Sequence, residues 1–320
     1  MMAAYRSDGA KLVPLAQGQP LASAVWVDLY KPLPGQVDLA NDLGIEVPTL
    51  ADMEEIEISN RLYREGSVDY MTVVLPGMSE TKQPMSGPVT FIVAAGLLVT
   101  VRHHVPRPFE TYPERADKVG PGCDSAEKIF LGLIEEITGR LADLLEGTGR
   151  ALEEVTRSVF ASDNRNKTAV GLQAALERVG RESDLVARIR LSLLTLERAM
   201  SFFGQSLGER AVGEALRPVV KGLMRDLQAL EVHGDYLSNR VAQATDATLG
   251  MINLLQNTAV RIVSVVAVLF LPPTMIASIY GMNFHAMPEL DQAWGYPMAL
   301  GLMVGSAVVT YALFKWKNWL

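Results

Sequence analysis

The apolar residues of this chain change their spacing twice. Up to about residue 120 they come in short runs rich in β-branched and aromatic types, "ASAVWVDLY" (22–30) and "VDYMTVVL" (68–75), which predict strands. "VTFIVAAGLLVTVRHH" (89–104) reads as two such runs joined by a turn at Gly96, a hairpin. Between them, "TLADMEEIEISNRLYREG" (49–66) places Leu50, Met53, Ile56 and Leu62 at helical spacing behind Thr49 as N-cap, and predicts a helix. From residue 124 the period becomes that of a helix and stays so. "DSAEKIFLGLIEEITGRLADLLEGTGRALEEVTRSVF" (124–160) opens on Asp124 as a capping candidate, and two further helices are predicted over 167–180 and 183–206. After "QSLGERAVG" and Pro218, no strong breaker intervenes before Pro272 and Pro273. The pattern predicts one helix of roughly 60 residues, about 90 Å at 1.5 Å per residue, longer than a globular core requires.

The second change is to runs without charge. "IVSVVAVLFLPPTMIASIYGMNF" (262–284) and "YPMALGLMVGSAVVTYALF" (296–314) carry no Asp, Glu, Lys or Arg, and each matches the roughly 20 residues of a bilayer-crossing helix. Two such runs in succession argue against core helices of a soluble fold. The connector 284–295 carries Glu289 and Asp291 and no Lys or Arg, whereas Lys315, Lys317, Arg240 and Arg261 lie on the far sides of the spans. By the positive-inside rule both termini are expected in the cytoplasm and the acidic loop outside, in an inner or plasma membrane. Trp294, Tyr296, Trp316 and Trp319 sit at the expected water boundaries.

The expected organisation is therefore an α/β cytosolic domain (1–122), an antiparallel helical layer (123–211), a stalk helix (212–260), two transmembrane helices (261–283 and 296–314) around an external loop (284–295), and a basic tail (315–320). Composition agrees with a soluble part joined to a membrane part: 49% of the 320 residues are hydrophobic and 20% charged. The formal charge of −7 comes with no basic tract, which removes nucleic acid as an expected partner. One cysteine, Cys123, excludes an internal disulfide and any multi-cysteine zinc site. No nucleotide-binding glycine loop and no nucleophile with an adjacent base appear, so the chain reads as a non-enzyme without a resident cofactor.

The first span has a stripe. Stepping by three or four residues from Asn257 gives Val260, Ser264, Ala267, Leu271, Thr274 and Ser278, ending near Asn283; in the other direction it gives Asn253, Gly250 and Asp246. One subunit with two spans cannot enclose an aqueous path, but several copies around an axis can. The stripe then becomes stacked rings: carboxylate (Asp246), amide (Asn257), apolar (Val260 to Leu271), hydroxyl (Thr274) and amide (Asn283). Side-chain rings and apolar constrictions are ways to select and gate ions. The competing explanation is that small residues on one face allow close helix packing.

"YGMNF" closing the penultimate span, "MPEL" in the loop, "GYP" opening the last span and the ending "KWKNWL" together resemble the CorA family of magnesium and cobalt transporters. The resemblance extends over the chain at large. It implies a homopentameric funnel in the bilayer that passes Mg²⁺, and with it Co²⁺ and Ni²⁺, down the electrochemical gradient. Gly281, Met282 and Asn283 take the place of the outer selectivity signature, with Asn283 meeting the hydrated ion and Glu289 enriching cations at the entrance. Asp246, Asn253, Asn257, Val260, Ser264, Ala267, Leu271 and Thr274 fall on the pore-lining and gate positions. Some members sense cytosolic Mg²⁺ through carboxylates of the soluble domain, for which Asp226 and "ADMEE" (51–55) are the candidates here. The sequence departs from the family at His285, where an acidic or aromatic residue is common; imidazole could ligate softer divalent ions. Two other readings stay open: a zinc transporter of the same superfamily, against which Met282 and the intact "MPEL" speak, and a membrane-tethered sensor or scaffold, against which the stripe speaks.

Overall fold

Alternation in the N-terminal third builds a mixed seven-stranded sheet, because residues i and i+2 of a strand share a face. The computed structural model describes residues 1–16, 20–160, 168–210, 213–282, 287–288 and 292–317. The strands are β1 (Met2–Asp8), β2 (Lys11–Pro14), β3 (Trp26–Tyr30), β4 (Leu62–Glu65), β5 (Val68–Met78), β6 (Pro84–Ala94) and β7 (Leu97–Arg102), ordered β2-β1-β3-β7-β6-β5-β4. All neighbours pair antiparallel except β3 and β7, which run parallel with Trp26 opposite Leu98. The expected hairpin is present: Gly96, at φ +82°, turns β6 into β7, a conformation that glycine adopts without penalty.

One sheet face carries Val27, Leu29, Tyr70, Ile92, Val99 and Val101, packed with Ile45 and with Met53 of α2 (Leu50–Glu54). The opposite face carries Trp26 and Phe91, which meet Phe109 and Tyr112 of α4 (Pro108–Arg115) and Phe130 of α5 (Ala126–Phe160). Phe130 in turn meets Phe203 of α6 (Ala169–Ser206). The contact between α4 and α5 has no room to spare. A Cβ on Gly132 would lie 2.3 Å from Tyr112 Oη, and Tyr112 is fully buried. Gly132→Ala is expected to cost about 1–3 kcal/mol by overpacking, seen as a lower melting temperature of the purified protein.

The segment 49–66 departs from expectation. Thr49 does cap a helix, its Oγ1 accepting from the Asp52 amide and its own amide donating to Asp52 Oδ2. That helix stops at Glu54, a four-residue α3 follows (Ile58–Arg61), and 62–65 become β4. Helical spacing misled here because Ile56 is 86% exposed and supplies no core contact. Pairing of β4 with β5 across Gly66 (φ +59°) overrides local propensity instead. The strands β1 and β2 and the helices α1 (Pro34–Asn41) and α4 have no counterpart among the sequence expectations.

Helix α5 spans the expected residues, but Ser125 rather than Asp124 caps it: Ser125 Oγ accepts from the Lys128 amide, while Asp124 pairs with Lys128 Nζ. Its first three turns are buried on nearly every side, and from Thr138 onward the buried positions run Thr138, Leu141, Leu145, Thr148, Leu152, Val155 and Val159, an alternation of three and four that marks coiled-coil-like packing. The two helices expected over 167–206 are one, α6; Gly180 costs it about 1 kcal/mol without breaking it. Helix α7 (Gly213–Tyr280) runs 68 residues without interruption, and α8 (Gly295–Trp316) follows. The Pro272–Pro273 pair does not end α7. The chain forms two compact units, 1–160 with 176–245, and 161–175 with 246–320.

Candidate functional site

Within the second unit lie the second half of α7 and α8, the two helices among the described residues long and apolar enough to cross a membrane. Most of their apolar side chains are not core: Val263 is 68% and Leu271 63% exposed. Burying such a surface requires lipid or further protein.

The stripe is confined to one side of α7. Asp246, Asn253, Asn257, Val260, Ser264, Ala267, Leu271 and Thr274 are all exposed. The covered positions of the same stretch are Ala247, Thr248, Met251, Ile252 and Leu255, then Val265, Leu269, Pro272, Pro273, Ile276 and Tyr280. At 3.6 residues per turn the mean directions of the two sets are nearly opposite. The polar stripe thus points away from the side that this chain covers itself. Helix α8 likewise has one covered edge, through Gly295, Ala299, Met303, Ser306, Thr310 and Phe314.

Chemistry along the stripe is set by where the protons are. Thr274 Oγ1 donates back into its own helix, 2.7 Å from Phe270 O and 2.9 Å from Leu271 O. Its single proton is therefore occupied, and what remains is oxygen lone pairs, acceptors suited to a cation or to the water around one. Immediately before it, Pro272 and Pro273 supply no amide donors, which deprives the carbonyls of Val268 and Leu269 of their intrahelical partners. Polar acceptors thus gather just beside an apolar stretch.

Helix α7 ends where the signature begins. The Gly281 amide donates to Ala277 O at 2.9 Å, and a Cβ at Gly281 would stand 3.0 Å from that oxygen. Met282 follows, half exposed. Asn283, His285 and Glu289 lie outside the described residues. Asp226 is an exposed residue of α7 in the first unit. Among the described residues no group of three or more His, Cys, Asp or Glu side chains is arranged to hold a metal ion.

The periodicity of the sequence gave no sign of the buried charge in the first unit. Asp28 accepts from Arg102 Nε and Nη2 and from Thr100 Oγ1, which itself accepts from Trp26 Nε1. Asp69, fully buried, accepts from Arg64, Ser206 and Arg210. Burial pushes its carboxyl upward, but those hydrogen bonds outweigh it and hold the group below the usual carboxylate range. His104, in contact distance of Leu75 O through Nε2, is pushed down to about 4 by burial and stands neutral. A signal did exist: "WVDLY" and "VDYMTVV" each place an aspartate inside a run otherwise made for a sheet core.

Residues 22–316 match the family model described as CorA-like Mg²⁺ transporter protein. The chain belongs to the CorA-like family. Members of this family are ion transporters rather than enzymes. The magnesium transport protein CorA of Escherichia coli K12 is 31% identical, with both chains covered in full. Among solved structures, the CorA magnesium transporter of Methanocaldococcus jannaschii superposes with a TM-score of 0.75 at 18% identity, covering 100% of this chain and 99% of that one. The ZntB cytoplasmic domain of Vibrio parahaemolyticus gives 0.56 at 11% identity over 78% of this chain and 97% of its own. These likenesses establish the fold: an α/β domain, long helices and two apolar helices in CorA order.

Proposed function

We propose that this chain is a CorA-like magnesium transporter in which several copies, a homopentamer by family resemblance, place the α7 stripe around a pore. The carrying observation is the direction of that stripe, opposite the side of α7 that the chain covers itself. Mg²⁺, and with it Co²⁺ and Ni²⁺, moves inward without a resident cofactor or nucleotide. A divalent ion gains about 4.6 kcal/mol per 100 mV of inside-negative potential, which suffices to drive uptake. Glu289 gathers cations at the outer mouth, and Gly281, Met282 and Asn283 select the hydrated ion. Thr274 accepts from its water shell, the Val260–Leu271 stretch forms a gate that closes by dewetting, and Asn257, Asn253 and Asp246 line the inner exit. Both termini are cytoplasmic in this reading, and Asp226 is a candidate for internal Mg²⁺ sensing.

Mg²⁺ influx into proteoliposomes under an inside-negative potential tests it. Wild-type protein is expected to give saturable influx. Thr274→Val is expected to lower it about tenfold, the scale of one lost hydrogen bond to a charged partner, while Thr274→Ser keeps it. Well-folded wild-type protein that passes neither Mg²⁺ nor Co²⁺ would overturn the reading in favour of a tethered sensor, and selective passage of Zn²⁺ would favour the zinc branch of the superfamily.

A further inference from the structure

We propose that the corner between α6 and α7 is a fixed pivot that sets the position of α7, with Arg210 as its positioning residue. The inference deepens the transport reading and rests on it for its flux measurement.

Arg210 lies three residues before Gly213, where α7 begins. Its side chain is 10% exposed and reaches three elements at once. Nη2 donates to Asp69 Oδ2 of β5 at 2.7 Å and to Val93 O of β6 at 3.2 Å. Nη1 donates to Glu127 Oε1 of α5 at 2.9 Å. The guanidinium carbon stands 5.7 Å from the centre of the Phe203 ring, near the end of α6. Ser206, the last residue of α6, donates to the same Asp69 oxygen at 2.6 Å, and Arg64 Nε holds the other oxygen at 2.6 Å. The two sides of the corner therefore converge on one buried carboxylate of the sheet.

A second observation is independent of charge. The Gly213 amide donates to Arg210 O at 2.9 Å, and a Cβ at Gly213 would fall 1.9 Å from Leu207 O. No other residue type starts α7 against Leu207 without moving backbone. Gly213 is thus held by packing against Leu207 and Arg210 by its planar guanidinium fork.

Stability alone is a poor reason for this cluster. Buried ion pairs repay their desolvation cost only in part, and well-packed apolar residues of similar volume often do as well or better. What a guanidinium adds is direction: donors in one plane that hold several acceptors in a single geometry. Here what is held is the start of α7, the helix that carries the stripe further along.

The experiment compares full-length wild type with Arg210→Met, Arg210→Lys and Gly213→Ala, using hydrogen exchange read by mass spectrometry and Mg²⁺ influx per assembled molecule. A pivot predicts that Arg210→Met raises exchange over 213–230 about tenfold while β6 and β7 keep theirs. Maximal influx is expected to change about threefold or more at an unchanged half-saturating Mg²⁺ concentration, with Arg210→Lys intermediate. Gly213→Ala, which leaves every charge in place, is expected to move both readouts in the same direction, and it carries the test should Arg210→Met fail to fold. A lower melting temperature with exchange raised evenly through sheet and helices, and influx equal to wild type, would reduce Arg210 to a structural residue and overturn the proposal. Should wild type pass no ion, the transport reading falls, and the exchange pattern alone decides the pivot.

Discussion

On the proposed pore reading, Asn283→Ala is expected to lower Mg²⁺ influx about 10–100-fold or more while leaving the proposed oligomer assembled. Mg²⁺ favours octahedral oxygen ligands and gives up its water reluctantly, so a pore that passes it has to recognise the hydrated ion first. A ring of neutral amide oxygens suits that task, accepting from the water shell without binding so tightly that the ion stays. In the proposed assembly, alanine removes that acceptor from every copy at once. With each lost bond to a charged species worth about 1.5–3 kcal/mol, even one such loss per ion costs at least tenfold, and two reach about 100-fold or more. Influx within a few-fold of wild type from an assembled Asn283→Ala oligomer would move selectivity elsewhere, with the Thr274 hydroxyls next in line.

The largest stability effect is expected in the sheet. Asp28→Ala strands the Arg102 guanidinium, which lies between the Tyr30 and Phe109 rings at 4.9 and 5.3 Å and is nearly buried. Removing one partner of a buried pair costs about 3–5 kcal/mol, because the other charge stays behind without water or counter-charge. That is a large share of the roughly 5–15 kcal/mol that holds a typical domain together. The double variant Asp28→Ala/Arg102→Met separates cause from site. It is expected to unfold at a higher denaturant concentration than Asp28→Ala alone, since no charge is left unpaired. Equal midpoints for the single and double variants would mean that packing around Asp28, rather than the ion pair, carries the loss.

The helical part and the stripe were legible in the sequence because their periods are long and uninterrupted. Asn257, Leu271 and Thr274 fall on one side of α7 by spacing alone, and the structure leaves that side uncovered. The span expected over 261–283 already included the proline pair. Pro272 and Pro273 lie within α7, where one unbroken helix carries on through Thr274 to Tyr280. The soluble domain was less legible. Its strand β4 forms where a helix was expected because β5 pairs with it across the turn at Gly66 and Ser67, and strand pairing of this kind, not the spacing of apolar residues, decides the outcome. The same holds for β1 and β2, whose hydrogen bonds go to each other and to β3. Buried aspartates were visible as letters but not as partners: Asp69 meets Arg210 across 141 positions of chain.

The order of the two units along the chain has a consequence for biosynthesis. The whole sheet, with α4 and α5, precedes the apolar half of α7, and the first unit closes at Thr245. At about 5–20 residues per second, a ribosome takes about 10–50 s to reach that point. Small domains fold in microseconds to seconds, so the sheet has time to form in water before either apolar helix has been made. Nothing in the sheet has to wait for the bilayer.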